Sequence, residues 1–322
     1  MEIEEKKTLT LLPFYKRCSK CSRLAYKVQI IEEEVFFECA NCQTVTKWTY
    51  QTVLRRSRIS FDLIEKLVMF YLDRKTPLDV FSILKYNFIA NSVNLKTIIS
   101  YFSLFDRIVM KFYIQELDCI LFEDEVEIDE SYLFKPKKSY APHRNYANGQ
   151  WIFGIFQRKS SRFIIFPITS REQNNLHNVI FKFIKTGTTI YSDSFSVYVN
   201  NRVFPKKSKL DVYGYQHKFI NHREEFVSSL FNDVHTNNIE NVWKQLKQFI
   251  RIQRITQLYM PSKARFYFYR MVSKDEQKKI LFQGLKEEHL KKRGELSDDI
   301  LNKFKKFRYI NNILQFILHM NN

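Results

Sequence analysis

The chain has 322 residues, enough for two or three folding units with a sizeable core, and 45% of them are hydrophobic, in keeping with a globular protein. Its 52 Lys and Arg against 34 Asp and Glu leave a formal charge of +18, which points to a polyanionic partner, although ribosomal, membrane-surface and merely solvated proteins share that balance. Apolar runs such as LVMFYL at 67–72 fall far short of the ~20 residues of a membrane helix, and the mixed-sign opening MEIEEKK carries no targeting pattern, so the expectation is a soluble intracellular protein.

Cys18 and Cys21 (CSKC) and then Cys39 and Cys42 (CANC) are separated by seventeen residues. Each pair can close a tight knuckle, and four thiolates at this spacing suit one tetrahedral zinc ion. YKVQI and EVFFEC between the pairs read as two short strands, the layout of a zinc ribbon. Two disulfides are the alternative, which a reducing compartment disfavours. Lys16, Arg17, Lys20, Arg23, Arg55, Arg56 and Arg58 give the ribbon a basic flank suited to DNA. Cys119 stands apart in an apolar helical stretch and reads as a small buried residue.

From about Ser60 to Leu117 the period is helical. Phe61, Ile64, Leu67 and Val68 recur at helix spacing, Pro77 sits at the first turn of a second segment ending near Leu84, and NLKTIISYFSLF opens a third. Three short helices with tight turns are compatible with a helix-turn-helix, and equally with an ordinary helical bundle.

After Glu123 the period changes to that of strands. VEIDESYLF, WIFGIFQR and RFIIFPIT are strand-like, with KPKKSYAPHRNYANGQ as the loop after the first; a helix follows from about Glu172 to Lys185, and TTIYSD is a further strand. Three strands in meander, a helix, a strand and a helix predict an α/β fold with a mixed sheet in RNase H-like order. The expected organisation is a zinc ribbon at 10–55, a helical DNA-binding domain at 56–120, an RNase H-like domain at 121–252 and a basic helical tail at 253–322 hinged at KKRGELSDD.

Six of the eight residues from Glu123 to Glu130 are acidic, in a strongly basic chain. On a strand Glu127, Asp129 and Ser131 share one face while Val126, Ile128 and Glu130 take the other, so Asp129 and Glu130 cannot serve one ion. Glu123, Asp124 and Glu125 read as a solvated strand entrance. Asp193 ends an apolar strand, and Glu240 lies in HTNNIENVWKQLKQFI, where Ile239, Val242, Trp243, Leu246, Phe249 and Ile250 form one apolar face. Two aspartates on strands and a glutamate on a helix could hold two magnesium ions, or manganese, for attack on a phosphodiester. Local roles compete: Asp193 as a helix cap, Glu240 in a capping box with Asn237 as N-cap, and Trp243 as a core residue.

VEIDESYLF, GQWIFGIFQR, TTIYSDSFSVY, GYQHKFINHREEFV and DVHTNNIENVWKQLK resemble, in order, the blocks of the Merlin superfamily of DDE transposases and its bacterial insertion-sequence relatives with an ISXO2-like transposase domain. The likeness spans about residues 124–251, and a preceding zinc ribbon is usual in those relatives. It implies a metal-binding catalytic triad of Asp129, Asp193 and Glu240, with Lys247, two helical turns after Glu240, contacting DNA. Asn237 and Lys244 on the same helix are further expected DNA contacts, and Asn237 is a possible sharer of the metal site. The forty-six residues between Asp193 and Glu240 exceed the family's usual gap, with the extra length assigned to NRVFPKKSKLDVYG as a harmless insertion. His217, His222 and His235 fall within two of the blocks, either as a zinc site or as hydrogen-bonding groups at the rim.

The resemblance implies a transposase that binds terminal inverted repeats and target DNA as double strands, acts as a homodimer or larger assembly, and cuts and joins DNA in the nucleus of a eukaryotic host or the cytoplasm and nucleoid of a bacterial one. The alternatives are a host-adopted, catalytically silent DNA-binding protein and another RNase H-like nuclease.

Overall fold

The computed structural model describes residues 18, 20–23, 26–31, 34–47, 52, 54, 57, 59–86, 93–133, 150–168, 170–200, 205–220, 234–253 and 260–286. The long loop after residue 134, His222, the KKRGELSDD hinge and most of the basic flank of the cysteines lie outside them. The described residues form two compact units, one running to Met110 and resuming at Val272, the other spanning Lys111–Met271.

The first unit opens with a three-stranded antiparallel sheet, β1 (Tyr26–Ile31), β2 (Glu34–Cys39) and β3 (Val45–Lys47), in that order. The third strand is too short to have left a period in the sequence. Helices α1 (Phe61–Leu72) and α2 (Pro77–Tyr86) follow, and then α3 (Leu95–Cys119), whose residues from Lys111 on are counted with the second unit. Each begins where a polar side chain takes up the free amides of the first turn: Ser60 Oγ accepts from Leu63 at 3.3 Å, Thr76 Oγ1 accepts from Asp79 at 3.2 Å, and Asn94 Oδ1 accepts from Thr97 at 2.9 Å. The predicted stripe of Phe61, Ile64, Leu67 and Val68 is buried, and the Tyr71 hydroxyl donates to Asp106 at 2.8 Å to fix α1 against α3.

Two expectations fail here. The third helix is 25 residues long, not short, because its apolar pattern continues without a breaker. Cys119, at its last position, is exposed rather than buried.

The second unit is a five-stranded mixed sheet, comprising β4 (Glu125–Leu133), β5 (Gln150–Gln157), β6 (Phe163–Pro167), β7 (Thr189–Asp193) and β10 (Gln216–Ile220) in the order β10-β7-β4-β5-β6. The first three form an antiparallel meander, while β7 runs parallel to β4 and β10 parallel to β7. A central first strand, flanked by its meander on one side and by two parallel strands on the other, is consistent with an RNase H-like sheet. Helix α4 (Gln173–Phe183) makes the crossover to β7 and sets Phe183 against Phe166, with ring centroids 5.5 Å apart. On the other face lie α5 (Asn237–Ile252), packed on β4 and β5, and α6 (Met260–Met271), packed on β6 and on α5. Phe266 of α6 meets both Phe163 and Phe249.

Strand β10 went unread in the sequence because QHKFI lies on an edge, where polar residues face water and the period of two is lost. The long interval before α5 contains further folded structure, a two-stranded hairpin of β8 (Val199–Asn200) and β9 (Lys207–Ser208) ahead of β10. The stretch from residue 253, read as one tail, is divided between the units: α6 belongs with the large sheet, and α7 (Lys274–Lys286) belongs with the first unit, where Lys278 pairs with Glu65 at 3.6 Å. No described helix is long and apolar enough to cross a membrane.

Candidate active site

The β4–β7 ladder runs in parallel register to the pair Glu127 and Tyr191, and two residues beyond these on each strand stand Asp129 and Asp193. Neighbouring strands are about 4.8 Å apart, so two carboxylates on one face at this level repel each other. Burial, the charge of Glu130 and the charge of Asp193 push Asp129 up to about 7, against the pull of a hydrogen bond from Trp243. Asp193 is half-buried, and its Oδ1 accepts the Phe195 amide at 3.0 Å. This caps a turn of the chain leaving the strand and not a helix, so the local reading of Asp193 as a helix cap is corrected to a turn cap.

Glu127, fully buried two residues before Asp129, anchors the start of α5. Its Oε2 accepts the amides of Asn238 and Ile239 at 3.0 and 3.1 Å, and its Oε1 accepts from Asn238 Nδ2 at 2.7 Å and Arg158 Nε at 2.9 Å. Arg158 lies 3.6 Å above the Tyr191 ring and donates to the His235 carbonyl at 2.8 Å, and His235 Nδ1 stands 3.4 Å from Glu127. A carboxylate from the sheet therefore neutralises the positive end of the helix dipole.

The N-cap of α5 is Thr236, not Asn237, because Asn237 already has helical conformation and the second and third amides of the helix are taken by Glu127. Glu240 is consequently the fourth helical residue and forms no capping box; Thr236 Oγ1 donates to its Oε1 at 3.2 Å, and the residue is exposed. Asp129 and Asp193 come together and Glu240 does not join them as a third donor: among the described residues, the only group of three or more His, Cys, Asp or Glu side chains close enough for one ion is that of the four cysteines. Asn237 and Lys244 are exposed and Lys247 is half-buried, on the side of α5 turned from the sheet.

Trp243 is more than the core residue expected. It is buried, and its Nε1 donates to Asp129 Oδ2 at 2.8 Å.

Residues 122–270, from the approach to β4 to the end of α6, match the ISXO2-like transposase domain family. The match, over 149 of the 322 residues, supports a DDE transposase family of bacterial insertion-sequence elements for this segment. No curated protein matches the chain. The matched span reaches eighteen residues past the expected boundary at 252, and so takes in α6, which the fold also assigns to the transposase domain.

The opposite face of the transposase domain carries a second polar cluster. Glu130 accepts two bonds from Arg171, at 3.0 and 2.9 Å, and one from the Tyr198 hydroxyl; burial still holds it above the usual carboxylate range. The Arg171 guanidinium is stacked between Trp151 and Phe195, 4.3 and 4.0 Å from their centroids. His217 bridges Ser192 and Ser208 through Nε2 and Nδ1 at 2.8 and 2.9 Å, and burial pushes it down to about 4. His217 and His235 are thus hydrogen-bonding groups, and among the described residues neither belongs to a metal-sized group.

Ahead of the transposase domain, Cys18, Cys21, Cys39 and Cys42 are free thiols whose sulfurs all lie within 4.8 Å of one another, with Cys18–Cys42 and Cys21–Cys39 at 3.5 Å. Four thiolates about 2.3 Å from one zinc ion would be about 3.8 Å apart, so the donor set fits. Both knuckles are built alike: the Ser22 amide donates to the Cys18 carbonyl at 2.9 Å and the Gln43 amide to the Cys39 carbonyl at 2.8 Å, with Ser22 and Gln43 at φ 59° and 56°. The Thr44 hydroxyl and amide bring Cys42 down to about 6. The cluster is compatible with a zinc ribbon.

Sequence reasoning put Glu127 on the face of Asp129 but gave it no role, and did not single out Gly154 or Arg158. A lone glycine inside the apolar run WIFGIFQ, in a chain with six glycines, is the signal that something packs there.

Proposed function

We propose that the chain is a DDE transposase that binds the terminal inverted repeats of its element and cuts and rejoins DNA with Asp129, Asp193 and Glu240 as metal ligands. The observation that carries this is the placement of Asp129 and Asp193 at the same level of adjacent parallel strands, where their charges oppose each other and a cation would relieve both. The fold is read as RNase H-like, and the cysteine cluster as a zinc ribbon serving DNA recognition together with the helical segment.

Asp129, Asp193 and Glu240 would hold magnesium or manganese, which would supply Lewis acidity toward the phosphodiester oxygens and the attacking water. The chain's own part is positional. Glu127 and Arg158 hold the first turn of α5, the helix that carries Glu240, to the sheet. Trp243 orients Asp129, and the Phe195 amide orients Asp193. Exposed Lys244 and half-buried Lys247 continue the outer side of α5 beyond Glu240 and would take DNA phosphates. In cleavage a water oxygen bonds to phosphorus as the bond to the 3′-oxygen breaks, leaving a 3′-hydroxyl and a 5′-phosphate. In joining, that hydroxyl attacks a target phosphodiester and the target's own 3′-oxygen leaves, so the number of phosphoester bonds is conserved.

The test uses wild-type protein and Asp193→Asn with labelled linear DNA carrying the repeat that flanks the gene. Magnesium-dependent cleavage and joining by the wild type alone, with equal binding by both, is the expected result. Binding by both with cleavage by neither, in magnesium or manganese, would make the chain an adopted DNA-binding protein; cleavage of branched DNA in preference to repeat ends would make it a different nuclease.

A further inference from the structure

We infer that Trp243 is a positioning residue for Asp129, seated for that task by Gly154; the inference rests on the proposed role of Asp129 as a metal ligand.

A buried indole N–H needs an acceptor, and any nearby carbonyl would satisfy it. Here the acceptor is the carboxylate that most needs orienting. Trp243 Nε1 donates to Asp129 Oδ2 at 2.8 Å, across 114 residues of sequence. The bond to a charged oxygen is of the stronger, directional kind. It engages Oδ2 and, with the hydrogen bond from the Glu130 backbone, restrains the carboxylate from rotating.

The seat is Gly154, the partner of Asp129 across the β4–β5 ladder. A Cβ at that position would come within 2.4 and 2.7 Å of Cη2 and Cζ2 of the indole and 2.8 Å of Ile239 Cδ1. The ring occupies the space a side chain would take, so even a methyl group there displaces either the indole or the helix. Trp243 is also one turn past Glu240 on α5. This contact therefore bears on both the orientation of Asp129 and the approach of the helix that carries Glu240. Groups in the shell behind metal ligands are commonly worth ten- to a hundredfold in metal affinity.

The experiment uses the zinc-replete full chain as wild type, Trp243→Phe, Gly154→Ala and Asp129→Asn. Manganese alone is titrated in and the free ion is read by electron paramagnetic resonance; circular dichroism and repeat-DNA binding are measured alongside. Trp243→Phe is expected to keep fold and DNA binding, to bind manganese about tenfold more weakly, and to recover cleavage at high magnesium, which Asp129→Asn does not. Gly154→Ala is expected to weaken manganese in the same direction with the indole still present, and it carries the comparison if Trp243→Phe disturbs folding. Wild-type manganese affinity in both Trp243→Phe and Gly154→Ala, with loss in Asp129→Asn, would overturn the inference and leave the transposase reading standing. Undiminished affinity in Asp129→Asn would bring down the metal-site reading itself.

Discussion

Glu127 Oε2 accepts the amide of Ile239 at 3.1 Å, so a carboxylate in the middle of a sheet closes the first turn of a helix more than a hundred residues away in sequence. Replacing Glu127 by alanine would remove the acceptor shared by Arg158 Nε and two helix amides, at a cost of about 3–5 kcal/mol, the scale for breaking one side of a buried ion pair. Glu127→Gln keeps an oxygen for the amides and should cost less. Urea denaturation of the two variants checks the order, and an alanine variant as stable as wild type would refute the anchoring role.

His217 gives a pH dependence of known sign. Burial, with the charge of His177 adding and that of Asp211 opposing, depresses it to about 4 from its usual value near 6.5. The folded protein thus holds it neutral, and the stability this contributes is present above about pH 6.5 and lost as pH falls toward 4. Thermal midpoints of wild type and His217→Asn, measured from pH 7 to pH 4, should converge as the pH drops. A constant difference between them would mean that His217 does not titrate in this window.

The cysteine cluster should hold one zinc ion per chain. Cys39→Ser is expected to release it, and a strong chelator should expose four thiols to a colorimetric reagent while the sheet of the transposase domain keeps its circular dichroism. Purified wild type without zinc, and with thiols already reactive, would contradict the ribbon.

Lys244, Lys247 and Arg251 recur along the outer side of α5 at intervals of three and four residues. If each meets a phosphate, a single change to alanine should weaken binding to all duplexes about equally and reduce the slope of log K against log salt by about one. A change confined to one sequence, or to cleavage without any loss of binding, would assign these residues differently.

Much of this was legible because it is local. The apolar face of α5, the thiol spacing and the alternation in VEIDESYL each lie within a few consecutive residues, and the structure places the corresponding elements there. What was not legible depends on partners far along the chain. Asn237 is a better N-cap than Thr236 by local preference, yet Glu127 supplies the amides' acceptor and moves the helix start back by one residue. Trp243 fits its apolar stripe so well that nothing local distinguishes an indole that only packs from one that also holds Asp129. Cys119 follows an apolar pattern to the end of a helix and is nonetheless exposed, which the pattern alone does not reveal.

The anchoring of α5 at its second and third amides has a consequence for how the domain tolerates change. The rotational phase of the helix is set at Asn238 and Ile239 by Glu127, a residue outside the interval that leads from Asp193 to the helix. Residues added in a loop ahead of Asn238 would therefore leave Glu240 facing the same way. One residue added between Ile239 and Glu240 would instead swing every later side chain by about 100°.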